Sequence, residues 1–122
     1  MDETFGTRLR RLRMEADIGL RELARRIGSS PGYLSDVEGG RVPPPSEALI
    51  IGMASALGVP SAHLLAAAKK VDPDVASYVA EQPGAADFLR MARNRRYSAD
   101  DWERLRQLAE ISRLGSEEES QE

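Results

Sequence analysis

A chain of 122 residues has room for one ordinary domain, or for one small domain with a short helical appendage. Its 41% hydrophobic and 30% charged residues are the balance of a folded globular protein, and the net charge of −3 is small. Zero cysteines exclude disulfides, thiolate catalysis and cysteine-built zinc sites, and a single histidine excludes any centre that needs two imidazoles.

The longest apolar stretches, such as "ALIIGMASALGV", fall short of the roughly 20 residues of a membrane span. The amino terminus has no signal-peptide pattern, so the expectation is a cytoplasmic protein with no membrane partner. Charge is uneven along the chain. Residues 1–70 carry ten Lys or Arg against eight Asp or Glu, whereas residues 71–122 carry seven against twelve. Much of the acidity sits in "GSEEESQE", which has no apolar residue and reads as a disordered tail over 115–122. An acidic average does not exclude a nucleic-acid partner, because binding follows the charge of one face.

In chain order the pattern is helical throughout. Phe5, Leu9, Leu12 and Ala16 recur at three- and four-residue steps and predict a first helix from about Thr4 to Glu15. Leu20, Leu23, Ala24 and Ile27 predict a second, short helix ending at Gly28. Ser30 followed by Pro31 is a cap and a proline at the first helical position, so a third helix starts there and runs to about Glu38 before two glycines. After "RVPPP", Ser46 opens a fourth helix over about Glu47 to Leu57, and Pro60 and Ser61 open a fifth that runs to about Lys69. "VDPD" breaks the chain. Stripes at Val75, Tyr78 and Val79, then at Phe88, Leu89 and Ala92, predict two more short helices, and Ser98 with Asp101 forms a capping-box pattern ahead of a last helix to about Leu114. The fold class is all-α: a helix-turn-helix domain over 1–70, a helical segment for dimerisation or regulation over 71–114, and the tail.

Function is written in the second and third helices. Two short helices joined at a glycine, the second restarted by a serine cap, have the spacing of a helix-turn-helix, whose second helix enters the major groove of DNA. At about 100° per residue, Leu34 and Val37 face inward, while Gly32, Ser35 and Asp36 cluster outward and Tyr33 lies on the flank. That outer face is small and polar, as close approach to base edges requires. Ser30, Gly32, Tyr33, Ser35 and Asp36 are therefore the candidate base-reading residues. Arg21 and Arg25, four apart on the outer face of the second helix, and Arg41, just past the third, are the candidate phosphate contacts, ahead of Arg10 and Arg11.

Several segments, "FGTRLRRLR", "LRELARRIGSSPGYLSDVEGG", "PPPSEALIIGMASALGV" and "HLL", resemble the five-helix phage-repressor and Cro-like domain, also called the xenobiotic-response-element family. The resemblance covers about residues 4–67. Glu22, Leu23, Ala24, Gly28, Tyr33, Leu34, Ser35, Glu38, Gly40, Pro45 and Ser46 all fall in one unbroken register with that family. It implies a protein that binds double-stranded operator DNA as a symmetric homodimer and regulates transcription, most simply by repression, without a cofactor. It also implies a structural ion pair between Arg13 and Glu38, with Arg13 as a further phosphate contact. Three positions depart from the pattern: Gly19 replaces a capping Ser, Thr or Asn, Asp17 a glycine, and Gly39 an Arg or Asn; the third helix also offers no Arg, Lys, Gln or Asn, so specificity is expected to lean on DNA shape or on Arg41 beyond the helix.

His63 has no nearby catalytic partner in the pattern, which argues against an enzyme, and "RNRR" at Arg93–Arg96 reads as a solvated helix end. In the last helix Trp102, Leu105, Leu108 and Ile111 form a stripe wider than one covered side needs; Trp102 and Leu105 suit a core, and all four are the candidate dimer contacts. The competing reading from another class is an antitoxin-type interaction module, whose carboxyl-terminal segment holds a regulatory partner protein while operator binding provides autoregulation. A DNA-free adaptor that reuses the fold is a third.

Overall fold

Thr4, Ser30, Ser46 and Ser98 each stand one residue ahead of a helix. Each hydroxyl accepts a hydrogen bond from the backbone N–H three residues on, from Thr7 at 3.1 Å, Tyr33 at 3.0 Å, Leu49 at 3.3 Å and Asp101 at 3.0 Å. The computed structural model describes residues 3–115, so residues 116–122 of the expected tail lie outside the described residues. Eight helices form among the described residues and no strand: α1 Phe5–Glu15, α2 Leu20–Arg26, α3 Pro31–Glu38, α4 Glu47–Leu57, α5 Ser61–Ala67, α6 Pro73–Ala80, α7 Pro83–Asn94 and α8 Ala99–Ile111. None is long and apolar enough to cross a membrane.

Two helices stop earlier than their sequence pattern suggests. α5 ends at Ala67 and not near Lys69, because Lys69 takes the left-handed conformation at φ 59° and the N–H of Lys70 turns back to Leu65 O at 2.8 Å. α8 ends at Ile111 and not near Leu114, because Ser112 is extended and its hydroxyl donates to Ala109 O at 2.9 Å.

The chain divides into two compact units at Tyr78 and Val79. In the first, Phe5 and Leu9 of α1, Leu23 and Ala24 of α2, Leu34 and Val37 of α3, Ile50, Met53, Ala54 and Leu57 of α4, and Leu64 and Leu65 of α5 form one buried core. Each fully buried Leu or Ile contributes on the order of 2 kcal/mol through apolar surface removed from water, so this cluster holds the five helices as a body. α2 packs on α3 and α4, α1 packs on α3 and α5, and α4 packs on α5. One approach is closer than side chains allow. A Cβ added at Gly6 would stand 2.4 Å from the Glu38 carbonyl oxygen and 2.5 Å from that of Val37, so α1 lies with its backbone against the last carbonyls of α3.

The second unit is built differently. α8 opens with a complete capping box, in which Asp101 Oδ2 accepts from the Ser98 N–H at 2.9 Å while Ser98 Oγ caps Asp101. The rings of Phe88, Tyr97 and Trp102 meet edge-on or tilted, with centroids 5.5 to 6.2 Å apart. Of its apolar side chains Ala92 alone is buried among the described residues, and Leu108 and Ile111 are 59% and 81% exposed.

Candidate nucleic-acid interface

The turn that sets α3 against α2 is made by residues 27–30. Gly28 takes φ 71°, a conformation without penalty only for glycine, and the N–H of Ser29 closes the turn on Ala24 O at 2.8 Å. Leu23, Ala24, Leu34 and Val37 then lock the pair into the core, leaving the opposite side of α3 to solvent. Gly32 is exposed with open space where a side chain would be, Ser35 and Asp36 are half-exposed, and Ser30 is exposed with its oxygen engaged in the cap. Tyr33 is the exception in this set, since its ring packs against the edge of the core.

The other end of α3 is held by charge. Arg13 Nε donates to Glu38 Oε2 at 2.7 Å, Nη2 donates to Oε1 at 3.0 Å, and Nη1 donates to Ile18 O at 3.0 Å. The two side chains are only 12% and 8% exposed, and hydrogen bonding to the Glu38 carboxylate holds the guanidinium above its ordinary pKa against the opposing effect of burial. This bidentate pair ties α1 to α3 and leaves Arg13 little surface for a phosphate.

Around this end the cations differ in what already engages them. Arg25 and Arg26 both bind the Glu22 carboxylate, which Arg26 first and Arg25 second hold below its usual range. Arg11 is tied to Glu3 and Glu15. Arg21 and Arg10 are exposed and form no ion pair among the described residues. Arg10 lies with Arg13, Ser35, Glu38 and Arg41 along a cleft of about 330 Å³ between α1 and α3. The signal for Arg10 in the sequence is its place three residues before Arg13, on the same side of α1.

Arg41 does not extend into solvent as a free phosphate ligand would. Its Nε donates to Asp36 Oδ1 at 2.8 Å and its Nη2 to Ser35 O at 3.1 Å, so the guanidinium lies across the outer face of α3. The candidate dimer residues belong to α8 in the other unit. There Trp102 joins the aromatic trio, Leu105 is half-buried, and Leu108 and Ile111 stand uncovered. His63 is exposed and contributes only its carbonyl, which accepts from Arg8 Nη1 at 3.4 Å; Arg93–Arg96 lie exposed at the end of α7.

The model of the family described as helix-turn-helix domain matches residues 4–68, more than half of the chain. No curated protein matches it. Among solved structures, SinR, described as the master regulator for biofilm formation and seen in complex with DNA, is 31% identical; the match covers 51% of this chain and 98% of that one at a TM-score of 0.48. ClgR, the clp gene regulator from Corynebacterium glutamicum, is 35% identical over 72% of this chain and 85% of that one, with a TM-score of 0.48. A complex of SinR with the SinI protein matches at 23% identity over 78% of this chain and 100% of that one, at the same TM-score of 0.48.

Proposed function

This chain belongs to the helix-turn-helix domain family, and we propose that it binds DNA and represses transcription by occupying a pseudo-palindromic operator as a symmetric dimer. The observation that carries the reading is the pairing of α2 and α3 across the Gly28 turn, with the small polar face of Gly32, Ser35 and Asp36 turned to solvent. A helix so presented reaches base edges in the major groove. Ser30 and Tyr33 flank that face at its amino-terminal end. Arg10, which lines a cleft with Ser35, and the exposed Arg21 and Arg25 of α2 serve as phosphate contacts, while Arg13, held by Glu38, keeps the structural role.

The dimer reading is supported by the uncovered face of α8. Leu108 and Ile111 are large, apolar and exposed on a unit that buries almost nothing of its own, and a second copy would cover them. Trp102 and Leu105 then stiffen the helix behind the contact.

Selection of bound sequences from random duplexes, followed by footprinting with the full chain, tests the proposal. The expected site has two inverted half-sites with centres about 10 base pairs apart, one helical turn, and affinity that falls steeply with salt. Leu108→Glu should give a folded monomer with weaker operator binding, because a lone half-site loses the benefit of linkage. A protected site without internal symmetry removes the dimer. A monomer that binds DNA as tightly as the parent gives the α8 face to a different protein, as the antitoxin reading requires.

A further inference from the structure

Helix α3 carries no Arg, Lys, Gln or Asn, the side chains that make the usual bidentate contacts with base edges. The fold brings a guanidinium to that face from outside the helix. Past Glu38, Gly39 and Gly40 reverse the chain, Gly40 at φ 74°, and the N–H of Arg41 returns to Asp36 O at 2.9 Å. The side chain then lies back over α3: Nε on Asp36 Oδ1 at 2.8 Å, Nη2 on Ser35 O at 3.1 Å and on Ser35 Oγ at 3.3 Å. A Cβ at Gly39 would stand 2.5 Å from Arg41 Nη1 and 2.9 Å from Cζ, so the guanidinium uses space that the absent side chain leaves open. It remains 60% exposed, and Nη1 donates to no group among the described residues.

We propose that Arg41 is the principal base-reading side chain of this protein, that it reads a guanine in the major groove, and that Asp36 and Ser35 are its positioning residues. The inference rests on the DNA-binding reading above. Guanine offers two acceptors side by side, O6 and N7, and a guanidinium is the planar donor that fits both: Nη1 is free for one, and Nη2 reaches the other by giving up its long 3.3 Å bond to Ser35 Oγ. Asp36 and Ser35 hold that plane at the helix face before DNA arrives, which removes part of the rotamer freedom a long side chain would lose on binding. The same ion pair places the cation over the carboxylate that would otherwise face the negative duplex alone. An aspartate at 2.8 Å fixes the edge that the arginine presents, and a base contact depends on that orientation more strictly than a phosphate contact does.

The test uses the full chain, its best selected duplex, and the same duplex with 7-deazaguanine, which pairs normally but lacks the N7 acceptor. One guanine per half-site should be invariant in the selection, and its 7-deaza replacement should weaken the parent protein on the order of tenfold. Arg41→Ala should bind both duplexes equally and select no base at that position. Arg41→Lys, which keeps the charge, should lose most of the discrimination as well. Asp36→Ala should melt like the parent yet discriminate less between the two duplexes. Weakening of all sequences alike by Arg41→Ala, with the guanine still selected, would make Arg41 a phosphate contact and overturn the proposal. So would a selected cytosine that depends on Asp36 and not on Arg41. A parent chain that binds no duplex removes the DNA-binding reading itself, a result distinct from either.

Discussion

The two units of this chain are both helical, yet they are held by different forces. Twelve of the thirteen buried apolar side chains among the described residues lie in the first unit, and Ala92 is the one in the second. The first is a tertiary object: its short helices, α2 and α5 at seven residues each, are too brief to persist alone and exist because their apolar faces share one core. The second depends on local devices, namely a capping box, side-chain pairs such as Arg104 with Asp100 along α8, and an aromatic trio. On the proposed function, the part that presents α3 to DNA is fastened by burial, while the part with uncovered apolar residues is the one a second copy would complete.

That contrast can be broken most forcefully in the first core. Leu64→Ala should cost about 3 kcal/mol by leaving a cavity at a site with no exposed surface. Trp102, the single tryptophan, belongs to the second unit, so its fluorescence and the far-ultraviolet circular dichroism should report separate transitions. If both shift together with Leu64→Ala, the units fold as one and the comparison fails.

Next in size is the buried pair. Glu38→Ala should cost on the order of 3 kcal/mol because Arg13 is left desolvated and unpartnered, whereas the double change Arg13→Met with Glu38→Leu should cost much less. Denaturant titration of the three proteins checks this, and a neutral Glu38→Ala would show that charge plays no part in fastening α3. In the second unit, Ser98→Ala should remove about 1 kcal/mol and show in Trp102 fluorescence ahead of the bulk dichroism.

The smallest expected effect is a pH dependence. Arg11 first, and Arg8 after it, hold the Glu3 carboxyl down to about 2 from its ordinary 4.5. A depressed folded pKa means that its contribution is whole above 4.5 and is lost as pH falls toward 2. Melts of Glu3→Gln and the parent should therefore differ at neutral pH and converge in that acid window, and only in the first transition.

The helices and the two halves of the interface were unequally legible in the sequence. Capping hydroxyls at Thr4, Ser30, Ser46 and Ser98, proline at Pro31 and the three- and four-residue stripes report on nearest neighbours along the chain, and the elements they predict are present. The stops of α5 and α8 were not legible, because Lys69 adopts a conformation that usually announces itself with glycine, and Ser112 breaks its helix with its own side chain. Within the interface, the outward set of Gly32, Ser35 and Asp36 follows from helical angles alone. The place of Arg41 does not follow from them. It depends on a chain reversal through Gly39 and Gly40 and on a carboxylate five residues back, a relation with no fixed period. Arg10 ranks below Arg21 and Arg25 on sequence alone, because the cleft it lines is assembled from α1, α2 and the end of α3 and belongs to no one segment.

The missing Cβ of Gly6 has a consequence for how such a surface changes over time. With α1 seated directly on the terminal carbonyls of α3, that helix is indexed by main chain, and the side chains on its far side carry none of that load. On the proposed DNA-binding reading, residues 32, 35 and 36 are interchangeable parts on a fixed mount: a lineage or an engineer could recut the operator preference at those positions without relearning the fold. The exception is residue 6 itself, where any side chain would tilt the mount and misdirect every face cut upon it.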